Sequence, residues 1–235
     1  MKRQRPIHLF ILSASTIILA FTTMLNSCSK YELPILLDEK GVFIPPPTET
    51  IPVDNQGLTD VTILDRSIVV DLKYKTPDNF TKKAIYPKQF PALLRPITAA
   101  RLAYANKLLK EQGFRIKVWD AYRPQYAQIA LWEGSGKDPS YVANPYTNPS
   151  LHTHGVAVDI SLVHLNGTDA RMPTKFDEFS KRAATNYFHT DPIVRRNLAI
   201  LKGAMLKAGF QYIHSEWWHF IDHEHENYGP IKSIY

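Results

Sequence analysis

A single carboxylate interrupts an apolar, β-branched run late in the chain, Val156-Ala-Val-Asp159-Ile-Ser-Leu-Val163. The run reads as a strand, because β-branched side chains pack well on a pleated surface. Asp159 then shares a face with Ala157 and Ser161, while Val156, Val158 and Ile160 face the other way. A carboxylate in such a strand is costly to bury unless it is paired or bound to a metal. His152 lies seven residues upstream, and Gly155 between them lets the chain turn so that the two can meet. Taken alone, these residues also fit a solvent-facing Asp159 on a half-exposed strand, with His152 in a loop.

A second acid and a second histidine sit among large rings in Ser215-Glu216-Trp217-Trp218-His219-Phe220. The rings would exclude water and strengthen any charge interaction there. A strict strand puts positions i and i+3 on opposite faces, so Glu216 and His219 converge only where a bend, bulge or strand end intervenes. The alternative is an aromatic core strand with Glu216 at its wet edge. Together the two segments supply His, Asp, His and a spare Glu. Two imidazoles and a carboxylate suit catalytic zinc, and a separate Glu suits a general base. No HExxH is present, which excludes that zinc-peptidase class.

The remaining elements follow from periodicity and stop signals. Ile68–Tyr74 reads as a strand. Residues 96–111 read as a helix with Leu102, Ala105, Leu108 and Leu109 on one face and Gly113 as its stop. Phe114–Trp119 is a strand and 124–132 a helix with proline in its first turn. Asp191-Pro192 caps a helix whose Val194, Leu198, Leu201, Met205 and Ala208 form a stripe, ended by Gly209. Short strands follow at 210–213 and 216–221. There is no regular βαβ repeat and no Gly-rich phosphate loop, which favours a single α+β domain with a mainly antiparallel sheet flanked by helices. Arg101, Lys107 and Lys110 read as a solvated helix face, and Asp222-His-Glu-His-Glu226 as a solvated turn.

The N-terminus sets location. Lys2, Arg3 and Arg5 precede an apolar stretch from Leu9 to Leu25, the layout of a secretory leader. Leu25-Asn26-Ser27-Cys28 resembles a bacterial lipobox, apart from Asn26. Residues 1–27 are thus expected to be a signal peptide, with Cys28 as the lipidation site. Residues 28–56, punctuated by Pro34, Pro45, Pro46, Pro47 and Pro52, read as a lipid-anchored tether, and 57–235 as the globular domain. The expected place is outside the cytoplasm, held to a membrane by acyl chains. Three of the 28 basic residues lie in the leader, so its removal lowers the net charge from +6 to +3. Such a balance is weak support for a nucleic-acid partner, and none is assigned. Cys28 is the one cysteine, which excludes an intramolecular disulfide and a Cys-built zinc site.

The ordered pattern Ser150-x-His152-x-x-Gly155-x-Ala157-x-Asp159, followed by Glu216-Trp-Trp-His219, resembles the zinc peptidases that cleave D-Ala-D-Ala bonds. More narrowly it resembles the D-alanyl-D-alanine dipeptidase family, the VanX type. Val70–Phe80, Val118–Pro124 and Met172–Ser180 extend the likeness from about residue 58 to 221. The resemblance implies the zinc D-Ala-D-Ala peptidase (hedgehog-like) fold and one Zn2+ per chain. It implies that His152, Asp159 and His219 are the metal ligands, Glu216 the catalytic base and Arg123 the residue that steadies the transition state. Asp177, Ser150 and Tyr74 fall where the family positions substrate, Asp177 being the candidate for the ammonium of a small D,D-dipeptide. The other readings are a D,D- or L,D-carboxypeptidase or endopeptidase on peptidoglycan stem peptides, and a wall-binding lipoprotein without catalysis. The sequence assigns no oligomeric state.

Overall fold

A computed structural model describes residues 34–232. Cys28, the leader and the first residues of the tether lie outside them. Two minor ribbons pair β1 (Leu36–Leu37) with β2 (Phe43–Ile44), and β3 (Thr59–Asp60) with β5 (Leu93–Leu94). The short helix α1 (Val61–Leu64) follows β3. The main sheet has the order β4 (Val69–Val70), β6 (Phe114–Asp120), β7 (Ala157–His164), β9 (His219–Asp222), β8 (Phe210–Tyr212). Only β4 and β6 run parallel in it; its other pairs are antiparallel, as the sequence suggested. β7 is central and buried from Ala157 to Val163, which accounts for its nearly continuous apolar run.

Helices α2 (Pro96–Glu111) and α4 (Pro192–Lys207) pack on each other and on the sheet. Leu102, Ala105 and Leu109 of α2 and Leu198, Leu201 and Met205 of α4 are buried between them. Asp191 caps α4 by accepting from the Ile193 amide at 2.8 Å. Gly209 follows α4 at φ 88°, and a Cβ there would collide with the Arg101 guanidinium. A third helix, α3 (Gln125–Gly134), follows β6. Among the described residues no helix is long and apolar enough to cross a membrane.

Several expectations change. The strand expected over Ile68–Tyr74 is only Val69–Val70, because the chain turns into a 3-10 turn at Lys73–Lys75 that buries Tyr74. The last strand starts at His219 rather than Glu216, since a turn closed by the His219 amide on the Glu216 carbonyl precedes it. Arg101 is not solvated. It is 1% exposed, with Nε 3.3 Å from Asp222 Oδ1 and Nη2 3.3 Å from Glu224 Oε1. Asp222 is equally buried and accepts from Thr98 Oγ1 at 2.8 Å, so the start of the supposed solvated turn is a core ion pair. The packed body also takes in residues ahead of Gly57: Phe43 stacks on Tyr104 at 4.5 Å, and Ile51 is buried.

Candidate active site

The sheet brings the two chemical segments together. Asp159 on β7 and His219 at the head of β9 are direct cross-strand partners. The turn before β9 is the strand end that the spacing of Glu216 and His219 required. On the other side of β7, a bulge between Val118 and Asp120 shifts the β6 register and sets Asp120 opposite Asp159. His152 arrives on the 3-10 turn Leu151–His154, capped by Ser150 Oγ, which accepts from the His152 amide at 3.3 Å. Gly155 at φ 73° then turns the chain into β7. A Cβ there would press on Leu58, Ile231 and the Arg95 backbone, at 3.1 to 3.4 Å.

Three ligand atoms face one point. Asp159 Oδ1 is 2.9 Å from His219 Nδ1, and Asp159 Oδ2 is 3.3 Å from His152 Nε2. The two imidazole nitrogens are 3.2 Å apart, and one donor atom from each residue falls within 4.8 Å of the others. His152 Nδ1 donates to the Ala121 carbonyl at 2.7 Å, which leaves the Nε2 lone pair aimed at the cluster. Two such lone pairs repel unless a proton or a cation lies between them. A divalent cation satisfies both imidazoles and the carboxylate at once, and this N2O donor set suits zinc. The residues therefore fit the metal. Burial alone would raise the Asp159 carboxyl, but His152 and then His219 hold it well below the usual carboxylate range. Burial pulls the His219 imidazole down, and Asp159 more than offsets that.

A cavity of about 470 Å³ opens over the cluster, lined by all eight residues singled out from the sequence as ligands, catalytic groups or substrate contacts. Glu216 is half-buried on its wall, and burial, with the nearby Asp159 charge, raises its carboxyl. Arg123 is buried. Its Nε and Nη2 donate to Asp120 Oδ2 at 2.9 and 2.7 Å, and Nη2 lies 3.8 Å from Asp159 Oδ2. Tyr74 and Asp177 lie together on the same cavity, and the Arg123 guanidinium lies 5.4 Å from the Tyr74 ring centre. His154 is turned away from the cluster, its Nδ1 bonded to the Tyr228 carbonyl at 2.8 Å.

Asp120, Tyr86 and Gln128, none of them singled out from the sequence, complete the surroundings of Arg123. Asp120 is fully buried and also accepts from the Tyr86 hydroxyl at 2.6 Å. Its signal was present: an acid closing an apolar strand three residues before an arginine. Gln128 gave none, being one glutamine on an amphipathic helix.

An α+β domain carrying this donor set, with a carboxylate and an arginine on the same cavity, has the parts of a metal-dependent hydrolase, and its family makes it a metallopeptidase. Residues 54–230 match the family described as D-ala-D-ala dipeptidase (Peptidase_M15), and the chain belongs to that family. A D-alanyl-D-alanine dipeptidase of Escherichia coli (strain K12) is 36% identical over 167 residues, covering 71% of this chain and 85% of the relative. One of Enterococcus faecium is 26% identical over 186 residues, covering 70% and 91%. Among solved structures, the LD-carboxypeptidase LdcB aligns at 18% identity with a TM-score of 0.43, covering 75% of this chain and 71% of that one.

Proposed function

We propose that this chain hydrolyses D-Ala-D-Ala or a related dipeptide with a free amino group, using one zinc ion held by His152, Asp159 and His219. The observation that carries the reading is the shared cavity: the ligand cluster, Glu216 and Arg123 on its walls, and Asp177 with an unpartnered buried oxygen on the same surface. Membership of the dipeptidase family supports it.

A bound zinc ion supplies Lewis acidity, which lowers the pKa of a ligated water to about 7. Glu216, its carboxyl raised by burial, accepts the proton of the attacking water and returns it to the leaving amine. Arg123 keeps N–H groups beyond those bonded to Asp120 and Gln128, and these stabilise the charge that develops on the scissile carbonyl oxygen. Asp177, held by Tyr74, receives the substrate ammonium. Ser150 borders the cavity beside His152 and positions substrate there.

The test is hydrolysis of D-Ala-D-Ala beside its N-acetylated form by the zinc-loaded full chain. Cleavage of the free dipeptide alone supports the reading. Equal cleavage of the blocked form makes the protein a carboxypeptidase on stem peptides. No cleavage of either with zinc bound removes the proposal. We further propose that Cys28 is lipidated and holds the enzyme at the outer side of a membrane, where it meets dipeptides released from the wall. Fatty-acid labelling that persists in a Cys28→Ala variant would contradict this.

A further inference from the structure

Arg123 has five N–H donors, and the protein takes up three of them. Asp120 receives two, from Nε and Nη2. The third goes from Nη1 to Gln128 Oε1 at 2.8 Å. Gln128 is fully buried on α3, and its Nε2 donates to the Ala143 carbonyl at 2.7 Å. Chemistry fixes this orientation, since a guanidinium only donates and a carbonyl only accepts. Ala143 belongs to the segment 138–149, whose Pro139, Tyr141, Val142 and Asn148 line the cavity. One amide therefore joins the arginine to the wall around the substrate. Gln125, on the same helix, donates to the Pro145 carbonyl at 3.2 Å, away from the cavity lining.

We propose that Gln128 is a positioning residue for the reaction: it sets the Arg123 guanidinium and couples its setting to the 138–149 wall. The inference rests on the dipeptidase reading above. Asp120 alone fixes one edge of the guanidinium. Without Gln128 the Nη1 edge has no protein acceptor and is free to swing, and a displacement of about 1 Å can cost on the order of 10²-fold in rate.

The experiment compares Gln128→Met and Gln125→Ala in the zinc-loaded full chain, with D-Ala-D-Ala as substrate. Gln128→Met is expected to lower kcat about 10- to 100-fold, less than the 10²–10³ for losing an oxyanion donor outright, with KM within about threefold. In an Arg123→Ala background the same substitution is expected to change kcat by less than about threefold. Gln125→Ala is expected to stay within about threefold of wild type. Proton exchange at the Arg123 guanidinium, read by NMR, needs no turnover and is expected to quicken in Gln128→Met. Equal kcat losses in both backgrounds, a change confined to KM, or unchanged kcat with unchanged exchange would each overturn the inference. Wild type that fails to cleave D-Ala-D-Ala while the exchange quickens removes the dipeptidase reading and leaves the coupling standing. Should Gln128→Met not fold, Gln128→Glu keeps an acceptor for Arg123 but loses the donor to Ala143. Because the Arg123 acceptor is kept, kcat is expected to stay within about threefold of wild type, and a 10- to 100-fold loss of kcat overturns the inference.

Discussion

The Tyr74 hydroxyl donates to Asp177 Oδ1 at 3.2 Å, and the other oxygen of that carboxyl is buried with no hydrogen-bond partner. The two residues are 103 positions apart, so the pairing exists only in the folded chain. Asp177 also sits at φ 56°, a region few non-glycine residues adopt. Burial, and then the Asp159 charge, push its carboxyl up to about 8. The substrate-free protein thus holds an acid that gains from the arrival of a cation.

Asp177→Asn should therefore stabilise the substrate-free protein while weakening dipeptide binding. The sign follows from proton uptake. The folded carboxyl keeps its proton to about pH 8, whereas the unfolded one loses it near pH 4. Stability is intact at low pH and is lost as pH rises between these values. At pH 7 the deficit is on the order of 2–4 kcal/mol, and asparagine tolerates the left-handed backbone. Thermal melts of the two proteins should coincide near pH 4 and diverge towards pH 8, the variant melting higher. Coincident melts at pH 8 would refute this account of Asp177.

The same group makes binding release a proton. In the metal-free protein burial keeps this carboxyl protonated at pH 7, and an ammonium beside it favours the carboxylate. Calorimetry of dipeptide binding to the metal-free protein at pH 7, in buffers of different ionisation enthalpy, should show a net release of protons. The release should vanish in Asp177→Asn. Binding heats independent of buffer would show that Asp177 does not receive the ammonium.

What the sequence made legible has a local cause. The ends of α2 and α4 follow from prolines at their first turns and glycines past their last, signals that need no tertiary partner. Asp159 was legible because a carboxylate in a β-branched run conflicts with its surroundings. Tyr74 was misplaced on a strand because alternation looks the same whether the chain runs on or turns. The chain turns at Lys73–Lys75, and just beyond it the Asn79 side chain donates to the Thr76 and Lys83 carbonyls at 2.6 and 2.8 Å and stabilises the loop. Arg101 was misread for a related reason: its acids lie more than a hundred residues away at the end of β9, and helical spacing cannot show them.

Glu216→Gln should separate chemistry from metal binding. Glutamine keeps the shape of the side chain but cannot carry the proton, so kcat should fall on the order of 10²–10⁴-fold. Glu216 is outside the ligand cluster, so zinc content by elemental analysis should remain one per chain. His152→Ala should instead lose both zinc and activity. A Glu216→Gln enzyme with wild-type kcat would exclude this glutamate as the base.

Arg101→Met tests the buried ion pair away from the cavity. The substitution keeps much of the side-chain volume but leaves Asp222 fully buried, with only the neutral Thr98 hydroxyl and Glu224 amide as its hydrogen-bond donors. Removing one member of such a pair strands a charge, at about 3–5 kcal/mol. For a chain of this size that lowers the melting temperature by roughly 6–20 °C. The loss should shrink in the double variant Arg101→Met with Asp222→Asn, because no charge is then stranded. Activity per folded molecule should stay close to wild type in both, since neither residue lines the cavity. Equal stability losses in the single and double variants would mean that Arg101 acts through packing, and that its contacts to Asp222 and Glu224 contribute little.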